Sequence, residues 1–238
     1  MRAAPPLCGA VSRAALGSLL VISACSSGSE DPAPAAGSGS LTTTAVLSTT
    51  TSAVIEPSDA AVVDAAALGA GWLAVDDTPS VEAADAQLAE HCPSIARRRA
   101  AHGSVRRERV RLQFVDRPLP TISDDLIVLE NASSAADVFN AFASNAMLRC
   151  LPAVTEAAGL SLGGVRTERT PVAAGTGDAA SAIRLHGTSI AGGVASQVTV
   201  ELLIIQRGPA LHLLVATSSD LYPLADAART ALIDAAAA

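Results

Sequence analysis

Lysine is missing from this sequence, and every one of its 16 basic residues is an arginine. Acidic residues number 23, so the formal net charge is −7, which disfavours a general nucleic-acid binder. Aromatic residues are also scarce, at 2% of a 238-residue chain that is 50% hydrophobic. The chain is long enough to bury a sizeable core, but that core must be built from Ala, Val, Leu and Ile.

The sequence also lacks a second long apolar run. Its first 24 residues predict an export signal, because Arg2 and Arg13 precede an apolar stretch of 11 residues at 14–24. That stretch is too short for a membrane-spanning helix, which needs roughly 20 residues. No later segment reaches about 18 apolar residues, and the longest, near 200–205, has the length of a strand.

A cysteine follows the signal directly. Ile22-Ser23-Ala24-Cys25 resembles the lipobox of bacterial lipoproteins, which implies cleavage before Cys25, a diacylglycerol thioether on its sulfur and often an acyl group, such as palmitate, on the new amino terminus. Two or three acyl chains on one residue make release from a membrane very slow. The alternative is an ordinary secretory signal with a coincidental cysteine. The resemblance predicts a cell-membrane lipoprotein, anchored at the extracytoplasmic face.

The segment behind Cys25 predicts a tether. Residues 26–58 are rich in Ser, Thr, Gly, Pro and Ala and show no helical or strand period. Such a segment cannot bury enough apolar surface to offset its ordering entropy, so we expect residues 25–58 to form a lipidated, flexible linker. Residues 1–24 would be the signal peptide and residues 59–238 the folded domain.

Within 59–238 the patterns predict one α+β domain, with a mostly antiparallel sheet of about five to six strands flanked by helices. Helices are predicted at 59–68, 80–91 and 134–150 and from Asp220 onward. Strands are predicted at 110–114, 124–130, 162–170, 181–190, 195–206 and 210–217. Gly192-Gly193 and Gly208-Pro209 mark turns between the last three strands.

The cysteine count predicts one disulfide. Cys8 would leave with the signal and Cys25 would carry lipid, so Cys92 and Cys150 form the remaining pair. Outside the cytoplasm such a pair favours a bridge. The alternative is a reactive thiol working with a histidine, for which the adjacent His91 and Cys92 are the only hint.

Other motifs for chemistry are weak. The histidines, His91, His102, His186 and His212, show no metal-binding spacing, so neither a metal nor another cofactor is expected. The stretch Gly187-Thr-Ser189-Ile-Ala191 approaches a hydrolase nucleophile elbow but ends in alanine and leads into a strand. The stretch Gly175-Thr-Gly-Asp178 lacks a phosphate-binding lysine and is interpreted as a turn.

One segment concentrates positive charge. Residues 97–111 carry seven arginines against Glu108. The segment could dock an anionic partner such as lipid headgroups, wall polymers or a phosphorylated ligand. The alternative is a solvated loop plus the outer face of a strand. The arginines concerned are Arg97, Arg98, Arg99, Arg106, Arg107, Arg109 and Arg111.

Five stretches occur in an order seen in actinobacterial extracytoplasmic proteins: "AALGAGWLAVDD", "HCP", "AADVFNAFASNAMLRCLP", "GTGDAASAIRL" and "VELLIIQRGPALHLLVAT". Over about residues 60–237 the chain resembles lipoproteins related to the sensor domain of mycobacterial receptor Ser/Thr kinases. The resemblance implies a PsbP-like, helix-flanked antiparallel sheet with a central cleft and ligand binding without catalysis. The kinase sensor domains carry two disulfides, whereas this chain can form one, and a signalling role would need a separate partner.

Three functions follow as hypotheses. The favoured one is a non-enzymatic, lipid-anchored sensor-like module of the cell envelope that binds an apolar or envelope-derived small ligand between sheet and helix. The second is an envelope scaffold that contacts a protein partner through the arginines of 97–111. The third, which is disfavoured, is a hydrolase whose nucleophile is Ser189 or Cys150.

Overall fold

Seven antiparallel strands form a single sheet in the computed structural model, which describes residues 59–76, 80–191 and 193–238. The strand order across the sheet is β1-β2-β3-β7-β6-β5-β4. The predicted antiparallel α+β class is therefore confirmed, with one strand more than expected because the short β1 has no sequence pattern of its own. The strands are β1 (Trp72–Ala74), β2 (Ser104–Phe114), β3 (Thr121–Leu129), β4 (Gly163–Thr170), β5 (Ala179–Ala191), β6 (Val194–Arg207) and β7 (Ala210–Ser219).

Helices cover both faces of this sheet. One face packs against α1 to α4, and the other packs against α5 and a short 3-10 helix at Ala65–Leu68. Alternation along β3 divides its side chains between the two layers, so that Ile127 and Leu129 face α1 to α4 whereas Ile122 faces α5. The helices are α1 (Val81–His91), α2 (Pro93–Ala100), α3 (Ala132–Phe142), α4 (Asn145–Ala157) and α5 (Asp226–Ala237).

The helix predicted at 134–150 is wrong, because the structure divides this region between α3 and α4. The chain leaves helical geometry at Ser144, whose ψ is 165° and whose hydroxyl donates to the Ala141 carbonyl at 2.6 Å. The first of the two helices also begins earlier than predicted, since the Asn131 side chain accepts from the Ser134 N–H at 2.9 Å. Local side-chain to backbone bonds thus override a continuous apolar stripe.

The two predicted terminal helices are shorter than expected. Residues 59–64 are not helical, because the Val63 N–H donates to Asp124 at 2.9 Å and Val62 packs against the sheet. The C-terminal helix begins at Asp226 instead of Asp220, whose carboxylate accepts from the Gln197 and Leu221 backbone N–H groups. Tertiary partners therefore hold both segments in non-helical conformations.

A disulfide joins two parts of the helical layer. Cys92 lies where α1 meets α2, and Cys150 lies within α4. Their sulfurs are bonded, with 5.6 Å between the Cα atoms, which agrees with the predicted pairing. The bridge belongs to the core on the α1 to α4 side of the sheet.

Candidate functional site: a cavity over His212

A buried histidine and aspartate face α5 and the segment before the 3-10 helix. His212 of β7 and Asp124 of β3 lie on neighbouring strands, with Asp124 opposite Leu214. The His212 Nδ1 atom is 3.0 Å from Oδ2 and 3.1 Å from Oδ1 of Asp124. The two residues are 4% and 0% exposed, so this contact is shielded from water. The Asp124 carboxylate also accepts a hydrogen bond from the backbone N–H of Val63.

A cavity of about 290 Å³ opens over His212. The segment 59–64, the turn of β6 into β7 and the end of α5 enclose it. Most of its wall is alanine and valine, and its polar groups besides His212 include Asp59, Asp64 and Arg207. The apolar lining consists of Ala60, Ala61, Val62, Val63, Ala67, Ala210, Ala235, Ala236 and Ala238.

The histidine ring has one nitrogen left for a ligand. Because Nδ1 faces Asp124, only Nε2 can meet a group placed in the cavity. A neutral ring would accept a hydrogen bond there, and a protonated ring would donate one. None of the described lining residues carries a hydroxyl or thiol nucleophile. The arrangement can orient a ligand by a hydrogen bond to His212 against a largely apolar wall, with Asp59, Asp64 and Arg207 as further polar groups.

The residues of the hydrolase hypothesis do not converge. The Cys150 sulfur is bonded to Cys92, and Ser189 lies within β5 opposite Ser196. His186 contacts the Thr199 hydroxyl at 3.1 Å. Its side chain lies on the sheet face opposite to that of Ser189, because the two residues are three positions apart on one strand. The remaining candidate, His212, is opposite Ile205, about 30 Å along β6 from the partner of Ser189.

The four histidines are dispersed over the domain. His91 ends α1, and His102 lies 3.5 Å from Asp137, while His186 and His212 belong to different strands. Within the described ranges, no three side chains of the metal-binding types are grouped closely enough to hold an ion. The stretch Gly175 to Asp178 is a turn, as interpreted from the sequence.

The arginines of 97–111 are divided between a helix and a strand. Arg97, Arg98 and Arg99 lie on α2, and the other four belong to β2. Arg97 and Arg98 are exposed, and Arg98 borders a groove of about 300 Å³ beside Asp137 of α3. The segment 97–111, for which a loop and a strand face were one of the two interpretations, therefore consists of the end of α2, a turn and most of β2.

Several of these arginines pair with carboxylates of the same domain. The Arg107 Nε donates to Asp125 at 2.8 Å, and its Nη1 donates to Asp85 of α1 at 2.7 Å. Asp85 also pairs with Arg99, and Asp125 lies 3.7 Å from Arg109 Nε. Burial alone would raise the pKa of Asp85, but hydrogen bonds from Arg99 and Arg107 outweigh it and lower that pKa.

A second ionic cluster ties α5 to the sheet. Glu201 of β6 accepts from Arg229 of α5 at 2.8 and 3.0 Å and from Arg184 of β5 at 3.2 Å. Burial opposes ionisation of Glu201, yet the two guanidinium groups hold its pKa below the ordinary value of 4.5. The same contact raises the pKa of Arg229. Glu201 is therefore a charged anchor for α5.

Sequence reasoning missed the His212 and Asp124 pair. Asp124 directly precedes Asp125 and the apolar run Leu126 to Leu129 of β3, and His212 interrupts the apolar run of β7. A charged residue at an apolar strand position implies a buried partner, which was the available signal. The pairing itself needed the strand order, because β3 and β7 are distant in the chain.

The predicted lipidation site, Cys25, lies outside the described residues, as do the signal and linker assignments at 1–58. Among described helices none has both the length and the apolar character required to cross a bilayer. No protein-family model, curated protein or solved structure matches the chain.

Proposed function

We propose that this chain is a lipid-anchored, extracytoplasmic binding protein of the cell envelope, sensor-like and non-enzymatic. Lipid on Cys25 and the linker that follows it would hold the domain at the membrane. The observation that supports the binding role is the cavity, in which an alanine and valine wall surrounds a histidine held by a buried aspartate. A paired disulfide suits an oxidising compartment.

The dimensions of the cavity restrict the ligand. Its volume of about 290 Å³ lies near the lower limit of typical small-molecule sites, about 300 Å³. The wall favours an apolar body, and His212 favours one hydrogen-bonding group on that body. The proposed ligand is a small, mostly apolar molecule derived from the envelope.

The two other hypotheses have less support. A scaffold role through the arginines of 97–111 would need a shared basic surface, but Arg99 and Arg107 are both paired with Asp85 of α1. A hydrolase would need a histidine beside Ser189 or a free Cys150. A kinase-type signalling role, suggested by the resemblance to sensor domains, would require a separate partner protein.

Native mass spectrometry tests the binding role. The full chain is purified from the membranes of its own host and examined for a co-purifying small molecule. We expect a bound ligand on the wild-type protein and its loss in Ala67→Trp, because Ala67 lines the cavity on an exposed turn. Ala66→Trp is the matched control, since Ala66 is exposed on the same turn but does not line the cavity.

Two results would contradict the proposal. The first is a wild-type protein that carries no small molecule when isolated from its host under non-denaturing conditions. The second is an adduct that both tryptophan variants retain equally, because that ligand would occupy another surface. Circular dichroism of both variants verifies that the fold is intact.

A further inference from the structure

Strand β4 ends the sheet and leaves one hydrogen-bonding edge open. In the part of the chain that the structure describes, β4 pairs only with β5, in regular register from Arg166 to Thr170 and with a register shift between Gly163 and Arg166. It is eight residues long, and six of them are exposed. The opposite edge is β1, which has only three residues and offers little backbone to pair. Edge strands are templates for another strand unless charge or shape blocks them.

The charges on β4 alternate in sign instead of blocking the edge. Arg166, Glu168 and Arg169 surround Thr167 in the middle of the strand. Arg166 and Glu168 lie on the same sheet face, because they are two residues apart. Glu168 Oε1 is 3.4 Å from His186 Nε2 in its own chain, and a carboxylate can accept from further donors.

Symmetry limits how two copies could pair through β4. Two antiparallel strands of identical chains are related by a two-fold axis perpendicular to the sheet, which keeps equivalent faces on the same side. A residue of one copy and the residue opposite it in the other copy must then be separated by an even number of positions in the sequence. Of the registers that this rule allows, the one centred on Thr167 places Arg166 opposite Glu168 twice. Registers centred on Arg166, Glu168 or Arg169 place like charges opposite each other.

We infer that β4 is a self-association edge, where a second copy of this chain pairs antiparallel about Thr167 and joins the two sheets into one. The backbone ladder supplies affinity, and the two Arg166 to Glu168 contacts select the register. The inference depends on the edge and its charges alone. It does not require the cavity over His212 to bind a ligand.

A charge-exchange series tests the register by sedimentation equilibrium of the full chain with Cys8→Ala and Cys25→Ala. Arg166→Glu and Glu168→Arg each place like charges opposite one another twice, and we expect each to raise the dimer Kd about tenfold. The double variant restores opposite charges and should return the Kd to within about threefold of the parent. Arg169→Glu is the matched control, because residue 169 faces the uncharged Val165 in this register.

Cross-linking provides the geometric test. In antiparallel pairs the opposed Cα atoms lie about 4.5 to 5.5 Å apart, which is within disulfide range. Thr167→Cys in the same background should therefore oxidise to a covalent dimer, whereas Arg169→Cys should not. A parent that stays monomeric at its highest soluble concentration overturns the inference. A dimer that is insensitive to both charge exchanges and to Thr167→Cys overturns it equally.

Discussion

At the scale of single residues, the pair of His212 and Asp124 contributes to stability and also places His212 at the candidate binding cavity. We expect Asp124→Ala to lower the free energy of unfolding by about 2 to 4 kcal/mol, since it leaves a ring nitrogen and the Val63 N–H without a buried partner. Urea denaturation measures the loss.

Two further variants separate this effect from simple loss of a charge. Asp124→Asn should cost less than Asp124→Ala, because the amide oxygen still accepts from Val63. Asp137→Ala, at a half-exposed acidic residue on α3, should change stability by no more than about 0.5 kcal/mol. Equal losses in Asp124→Ala and Asp137→Ala would contradict a buried pair.

Glu201 should make stability dependent on pH. Its pKa in the folded state lies below 4.5, so its contribution is complete above the unfolded pKa and disappears as the pH falls through the folded pKa. Glu201→Gln should therefore be less stable than wild type by about 1 to 2 kcal/mol at neutral pH. Chemical denaturation across acidic pH should show the two proteins converging; a constant difference at all pH values would refute this role.

At the scale of elements, the contacts of Arg107 join α1 to β2 and β3. Arg107→Ala should destabilise the domain by about 2 to 4 kcal/mol, because Asp125 and Asp85 both lose a donor while partly buried. Arg97→Ala, on the exposed side of α2, should have an effect within about 0.5 kcal/mol. Thermal unfolding compares them. If both changes were neutral, the arginines of 97–111 would again be candidates for an external anionic partner.

The disulfide should contribute a large part of the free energy of unfolding through the helical layer that it joins. Closing a loop with a sequence separation of 58 corresponds to about 4 kcal/mol of loop-closure entropy. The double variant Cys92→Ala and Cys150→Ala should lose stability of that order in urea denaturation. Dithiothreitol should lower the denaturation midpoint of the wild type toward that of the variant and leave the variant itself unchanged.

Strands were more predictable than helix ends in this chain. Apolar runs and the turn residues between them identified β3, β5, β6 and β7 within a few residues, because the core requires their apolar side chains. The break at Ser144 was not predictable from the apolar period, which continues across it. Nor was the extension of β2 through Arg107, since the sequence could not reveal that Asp85 and Asp125 would neutralise it.

At the scale of the whole molecule, the proposed anchor has a direct test. Cys25→Ala should move the protein from the membrane fraction to the soluble fraction or leave it unprocessed, because acyl chains on that residue supply the proposed membrane affinity. Fractionation with radiolabelled fatty acid measures both effects. Labelling that persists in Cys25→Ala would refute lipidation at this residue.

The candidate cavity could not be predicted from the sequence, because its wall comes from both ends of the described domain. Asp59 and Val63 lie near its beginning, and Ala236 and Ala238 lie near its end. Sequence patterns report local periodicity, whereas this wall depends on how the 3-10 helix, the strand ends and the end of α5 meet around His212. The fold class can therefore be predicted from local patterns, whereas the site cannot.

The meeting of Asp59 and Ala238 at the cavity also constrains how the protein can be handled. A fluorescent protein or purification tag fused after Ala238 would emerge at the mouth of the cavity and compete with a ligand for space. The hairpin where Ala191 pairs with Val194 lies about 36 Å along β6 from Ile205, the residue opposite His212. Reporter insertions belong in that hairpin, where they leave the entrance open.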